Sequence, residues 1–178
     1  YKRQISQAVI DGNFSAEFYP AAEKLEFKAG AQVMFLNNDS KNRWVNGSVG
    51  HIEDIRLTEE DKVKYLRIRL HENQRLVDVF PYTWEVFKYT LQGKEIISEV
   101  VGSFTQYPLR LAWAVTIHKS QGKTFDNIEI DVGRGTFATG QLYVALSRCT
   151  SFEGISLKKP LRKEHIFTDW RITEFMNR

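Results

Sequence analysis

AVTIHKSQGKTFD, Ala114 to Asp126, and GQLYVALSRC, Gly140 to Cys149, are the stretches whose reading decides the fold of this 178-residue chain. The first begins inside a mostly apolar run, Leu111 to Thr116, which has the length of a buried parallel strand. At the end of that run the chemistry changes: Thr116, His118, Lys119, Ser120 and Gln121 are donors or cations, and Gly122 lets the backbone turn close to a ligand. Ile128, Ile130 and Val132 then alternate, so a second strand is predicted over Phe125 to Val132. A polar turn between two such strands lies where open α/β sheets hold their ligands.

Gly122-Lys123-Thr124 imitates the end of a P-loop, G-x-x-x-x-G-K-[ST]. The first glycine of that pattern would fall at Ile117, whose β-branch resists the positive φ that a phosphate nest needs. A P-loop also opens a long helix, whereas the sequence after Thr124 is strand-like. The chain therefore carries no recognisable cradle for a β-phosphate.

The second stretch predicts a helix starting near Thr139 or Gly140, with Thr139 as N-cap. Leu142, Leu146 and Cys149 share a core stripe at helical spacing, and Gln141, Ala145 and Arg148 share another that could face a cleft. The planar, permanently charged guanidinium of Arg148 suits the charge on a transferring phosphoryl group. Alternatively, Arg148 is a structural cation paired with a carboxylate near a helix C-terminus. Its partnership with the first stretch favours the phosphoryl role.

Outward from these motifs the chain is less pointed. Lys and Arg number 25 against 22 Asp and Glu, a formal charge of +3 that is too small to argue nucleic-acid binding. The single cysteine, Cys149, excludes a disulfide framework and suits a reducing compartment. No apolar stretch approaches membrane-spanning length, and the start at Tyr1 does not read as a signal peptide. A start without methionine fits a piece excised from a longer chain. Residues 1–29 are polar and mixed, with Phe14, Phe18, Tyr19 and Leu25 as possible anchors. Short strands are predicted at Ala31–Leu36, Ser48–Ile55, Tyr65–Leu70, Leu76–Phe80, Trp84–Thr90 and Ile96–Tyr107, divided by turn signals at Asn37-Asn38-Asp39-Ser40, Asn46-Gly47 and Gln92-Gly93. Such spacing describes a small closed or half-closed barrel. Tyr82, Trp84, Phe87 and Tyr89 could form a base-stacking platform, but Trp84 is expected in the barrel core. Lys158, Lys159, Arg162 and Lys163 form a basic run that is usually just solvated, and Glu59-Glu60-Asp61 reads as a loop.

The two motifs resemble motifs V and VI of superfamily-one-B helicases, in particular the Pif-type (petite integration frequency) branch related to RecD. GAQVMFLNND at Gly30 to Asp39, WVNGSVGHI at Trp44 to Ile52 and FTQYPLRLAWA at Phe104 to Ala114 also look like that branch, so the resemblance runs from about Phe14 to Phe175. It implies an α/β RecA-like half domain (2A) with an inserted all-β Src-homology-three-like barrel (2B). Residues 1–29 would lead in from an upstream domain, 30–107 would be the 2B-like insertion, and 108–178 the returning part of 2A, with Ile155 to Leu157 as strand and Asp169 to Met176 as helix. The upstream RecA-like domain would carry the P-loop and the acidic ligands of magnesium, and this segment would bind no metal itself.

By the same resemblance, Arg148 would be an arginine finger on the γ-phosphate of ATP, with Gln141 and the backbone of Gly122 framing the nucleotide. Thr116 and His118, with Lys119 and Ser120, would touch the phosphates of single-stranded DNA. Each has a plainer reading: His118 as a satisfied turn histidine, Thr116 bonding its own backbone, Ser120 capping a turn. The resemblance further implies a monomer that needs the upstream domain, 5′ to 3′ movement on single strands, and an intracellular site: cytoplasmic in a bacterium, nuclear or mitochondrial in a eukaryote. A fragment on its own is expected to be inactive. Two other classes remain: a passive single-strand-binding module and a barrel that holds proline-rich peptides.

Overall fold

The computed structural model describes residues 2–60, 62–93 and 95–177; Asp61, in the acidic loop expected from the sequence, lies outside them. Two compact units are present, residues 1–113 and 114–178.

The first unit is built from antiparallel strands. Five of them form one sheet in the order β10-β4-β5-β6-β7, comprising Leu109–Leu111, Gln32–Phe35, Val49–Leu57, Val63–Leu70 and Leu76–Val79. Period-two patterning drives it: in VKYLRIRL, Leu66, Ile68 and Leu70 are buried while the residues between them are half-exposed. Their core partners are Leu25, Phe27, Val33, Phe35, Trp44, Ile52, Val77, Val79, Tyr107 and Leu109. A second sheet, β2-β9-β8 (Val9–Gly12, Glu95–Gln106, Tyr82–Gln92), carries a long hairpin that turns at Gly93, and a short pair joins β1 (Gln4–Gln7) to β3 (Lys24–Phe27). All six strands expected between residues 31 and 107 are present. Phe14 and Tyr19 anchor on Phe104, at 5.7 and 4.7 Å between ring centroids, and Leu25 enters the core, while Phe18 stays exposed.

Two local expectations are corrected. Leu111 to Thr116 is not a strand. The ladder of β10 on β4 stops at Leu111 opposite Val33; at the start of β4, Gln32 bonds Ala112 once through its backbone carbonyl and once through its side-chain amide in place of a second ladder bond. The core tryptophan is Trp44, stacked on Phe35 at 4.6 Å, and not Trp84, which is half-buried on the second sheet between Tyr82 and Phe104. The Asn37 signal falls, as expected, on a turn-bearing loop between β4 and β5, where Asn42 N–H donates to the Asp39 carbonyl at 3.1 Å. In that loop, buried Asp39 accepts from the backbone N–H groups of Lys41 and Arg43 and, in a fork, from Arg43 Nε and Nη2 at 2.8 and 2.7 Å. The Arg43 guanidinium beside it holds the Asp39 carboxyl down at about 2.

The second unit has a parallel pair, β11 (Ile128–Ile130) and β12 (Ile155–Leu157), with helix α1 (Gln141–Leu146) between them in sequence. Ile130, Val132, Leu142 and Ala145 form its core, with Ile117, Ile128, Leu146, Ile155 and Leu161 packed around them. Helix α2 (Trp170–Met176) closes the unit, with Asp169 as its N-cap accepting from Arg171 N–H. The cap of α1 is Gly140 at φ +72°, not Thr139, and no side chain caps that end. Of the second stripe, Gln141 and buried Ala145 lie on α1, and Arg148 lies just beyond its end at Leu146.

No helix among the described residues is long and apolar enough to cross a membrane.

Candidate functional site

The turn predicted from Thr116 to Gly122 forms as a single tight loop. Ser120 N–H donates to the carbonyls of both Thr116 and Ile117, each at 3.1 Å, and the Ser120 hydroxyl donates back to Ile117 at 2.6 Å. Thr116 Oγ1 accepts from Lys119 N–H at 3.4 Å, which caps the turn from outside. Gly122 closes it at φ +74°, and a Cβ there would meet nothing within 4 Å, so glycine is needed for conformation rather than for space. Ser120 is thus buried and committed to the turn, while Thr116, His118 and Lys119 are exposed on it.

The chain then runs directly against the second motif. Phe125 N–H donates to the Arg148 carbonyl at 2.9 Å and Thr150 N–H returns to the Phe125 carbonyl at 3.0 Å, a parallel bridge across the Phe125 and Cys149 pair. The Arg148 side chain repeats the connection: Nη1 donates to the Lys123 carbonyl at 3.1 Å, Nε to the Val144 carbonyl at 3.0 Å and Nη2 to the Ser147 hydroxyl at 2.9 Å. Val144 is in the last turn of α1, so Arg148 acts as a cation on that helix's C-terminus, as its plainer reading expected, although its partners are carbonyls and a hydroxyl rather than a carboxylate. The residue is only half-buried. Three bonds use one N–H on each guanidinium nitrogen, which leaves one N–H on each of Nη1 and Nη2, the number a bidentate phosphate contact takes. The clamp orients the group without consuming it.

Gln141 sits at the start of α1, where its side-chain oxygen accepts from Phe137 N–H at 3.0 Å and closes the loop before the helix. Gly154 is the packing hinge of the site: a Cβ there would overlap the Asp126 carbonyl and lie 2.7 Å from Cys149 Sγ. The basic run is partly neutralised. Lys158 pairs with Asp131 at 2.7 Å, which lowers the Asp131 carboxyl and raises the Lys158 amine, and Arg162 pairs with Glu164 at 3.2 Å. In the first unit three arginines of the five-stranded sheet are paired as well, Arg67 with Asp78 at 2.7 Å, Arg69 with Glu53 at 3.0 Å and Arg56 with Asp54 at 2.8 Å, while Arg110 on β10 is exposed.

Sequence reasoning brought the two motifs together, and the structure joins them through Arg148. It missed the partners that hold the arginine, because two of them are main-chain carbonyls and carry no residue-type signal. It assigned no role to Ser147, and it used Asp39 only as a turn marker.

No protein-family model matches the chain. It is 40% identical over 129 residues to a Campylobacter jejuni protein named ATP-dependent DNA helicase Pif1, and 37% identical over 139 residues to the human protein of the same name. Those matches cover 72% and 76% of this chain but 28% and 19% of the relatives. A solved structure of Bacteroides Pif1 bound to single-stranded DNA superimposes with a TM-score of 0.78 at 40% identity over 98% of this chain. The chain belongs to the Pif1 family. A second Bacteroides Pif1 structure, in complex with ADP-AlF3 and single-stranded DNA, matches at 0.78 and 39% identity, and the Candida albicans Pif1 structure at 0.76 and 26%. The chain spans 39% of the Bacteroides Pif1 chains and about a quarter of its curated bacterial relatives, so it is a Pif1 segment.

Proposed function

We propose that this segment is the carboxyl-terminal motor portion of an ATP-dependent DNA helicase that moves 5′ to 3′ on single-stranded DNA. Residues 30–107 serve as the 2B-like barrel, 108–178 as the returning part of the RecA-like domain 2A, and 1–29 as the lead-in from an upstream RecA-like domain. One observation carries the reading. Arg148 is tied by main chain and side chain to the Thr116–Phe125 segment while keeping two donors for an anion. In this reading those donors meet the γ-phosphate of ATP, whose transfer spreads negative charge over oxygens that a guanidinium matches in plane. Gly122 and Gln141 frame the nucleotide through a compact turn and a closed loop, and Thr116, His118 and Lys119 lie along the DNA phosphates. Ser120 holds the turn they stand on. Magnesium is expected on acidic ligands of the upstream domain. Among the described residues no group of three or more His, Cys, Asp or Glu could hold a metal ion.

A passive nucleic-acid-binding barrel is less well supported. Arg56, Arg67 and Arg69 on the five-stranded sheet are engaged by carboxylates, whereas His118 and Lys119 on the turn are exposed. The test uses the complete protein. Arg148→Ala should lower DNA-stimulated ATP hydrolysis by roughly a thousandfold while single-strand affinity stays within about twofold. Full hydrolysis by that variant refutes the finger. The 178-residue segment alone should hydrolyse no ATP, and DNA-stimulated turnover by the purified segment would overturn the motor division proposed here.

A further inference from the structure

We infer that Ser147 is a positioning residue for Arg148, an assignment that rests on the arginine-finger reading above. The Val144 carbonyl can only accept, so the 3.1 Å contact from Ser147 Oγ fixes the direction of the hydroxyl proton: it goes to Val144. The lone pairs of Oγ are then turned to the Arg148 Nη2 group 2.9 Å away. Val144 O also accepts from Arg148 Nε at 3.0 Å. Oγ and the Val144 carbonyl therefore engage the Nε–Nη2 side of the guanidinium together, and the Lys123 carbonyl takes Nη1 at 3.1 Å. Two bonds to carbonyls leave the plane free to rock about the line between them. The third, between Nη2 and the Ser147 hydroxyl, stops that motion.

The device has a specific chemical consequence. A finger acts in the transition state, where preorganisation counts because nothing must be ordered at the moment charge develops. Loss of the Ser147 acceptor leaves the charge and the two carbonyl tethers in place but lets the remaining Nη1 and Nη2 donors wander. Turnover falls, and ground-state nucleotide binding does not. A residue that mattered only for stability would instead lower folding, DNA binding and turnover together. Ser147 is exposed, so its truncation leaves no buried hole.

The experiment compares Ser147→Ala, Ser147→Thr, Ser147→Cys and Arg148→Ala in the complete protein, measuring kcat and KM for ATP at saturating single-stranded oligonucleotide, with oligonucleotide affinity as the check on folding. Expected are a fall of about tenfold in kcat for Ser147→Ala at unchanged KM, the size of one hydrogen bond to a charged group, rescue to within about twofold by Ser147→Thr, and a partial loss for Ser147→Cys, whose sulfur is a weak acceptor. Ser147→Cys also stands in if the alanine variant fails to bind DNA. An unchanged kcat for Ser147→Ala or Ser147→Cys, with Arg148→Ala still inactive, sinks the positioning role alone. Full activity of Arg148→Ala sinks the finger reading itself. A rise in KM at constant kcat would place Ser147 in substrate binding and also refute the proposal.

Discussion

Acidification should unhook one identifiable loop of the first unit. Asp39 is buried, and its folded-state carboxyl lies at about 2 against an ordinary 3.8, chiefly because Arg43 donates to it, with burial opposing. A depressed folded value means stability that is present above the unfolded value and disappears as pH falls through the folded one. The window is therefore pH 4 down to 2. The difference corresponds to about 2 kcal/mol at neutral pH, with roughly half gone near pH 3. Other carboxylates, Asp78 and Glu53 among them, are also held below their ordinary values by arginine partners and add to the loss in acid. The measurement is therefore a difference: urea unfolding of the chain and of its Asp39→Asn variant at pH 7, 4, 3 and 2.5, followed by tryptophan fluorescence. Trp44 is a natural reporter, since it stacks on Phe35, lies 4.5 Å beneath the Arg43 guanidinium and donates from its indole nitrogen to Asn37 Oδ1 at 3.2 Å. The variant should be less stable by about 2 kcal/mol at pH 7, and the two curves should converge below pH 3. A gap that stays constant from pH 7 to pH 2.5 would show that Asp39 contributes through shape rather than charge, and the electrostatic reasoning would be wrong.

Three further perturbations follow from the packing. Gly154→Ala forces a methyl into the Asp126 carbonyl and Cys149, so the β11–β12 pairing should open, with a loss of roughly 2 to 4 kcal/mol read as lost amide protection of Ile128; retained protection would contradict the contact. Gln106→Leu removes the amide that donates to the Ser6, Ala22 and Glu23 carbonyls at 3.1 to 3.2 Å, of which Glu23 keeps the Ala8 N–H, and takes the side-chain oxygen from buried Tyr107 N–H, so it should cost about 2 to 4 kcal/mol in urea unfolding, against less than 1 if water replaces the amide. Burial pushes the Tyr107 phenol up to about 12, so this group stays protonated in the fold while an unfolded tyrosine ionises near 10, and stability declines as pH rises between those values. An absorbance titration should show one tyrosine resisting until the fold is lost, and Tyr107→Phe should remove that late step.

Much of this molecule is written in its residue types. Period-two alternation in stretches such as Val63 to Leu70 specifies the strands of the first unit, because a strand with one buried face has no other economical register. Gly93 marks the hairpin, Asp169 the start of α2, and the order of the two motifs assigns the family without any coordinates. What residue types leave open is which backbone groups are already taken. Leu111 to Thr116 has the composition of a strand, yet its ladder stops at Leu111, and at Ala112 a Gln32 side chain takes the place of a main-chain partner. Trp44 and Trp84 are the same residue in the alphabet; one enters the core because its loop is folded over by Asp39, the other stays on a separate sheet. Arg148 shows the division most clearly. Its place in the motif announced an anion partner, but the carbonyls of Val144 and Lys123 that aim it come from main chain brought close only when α1 and the Phe125 bridge are in place. A carbonyl has no identity in the sequence, and its availability is decided by the hydrogen bonds that the whole fold leaves unmade.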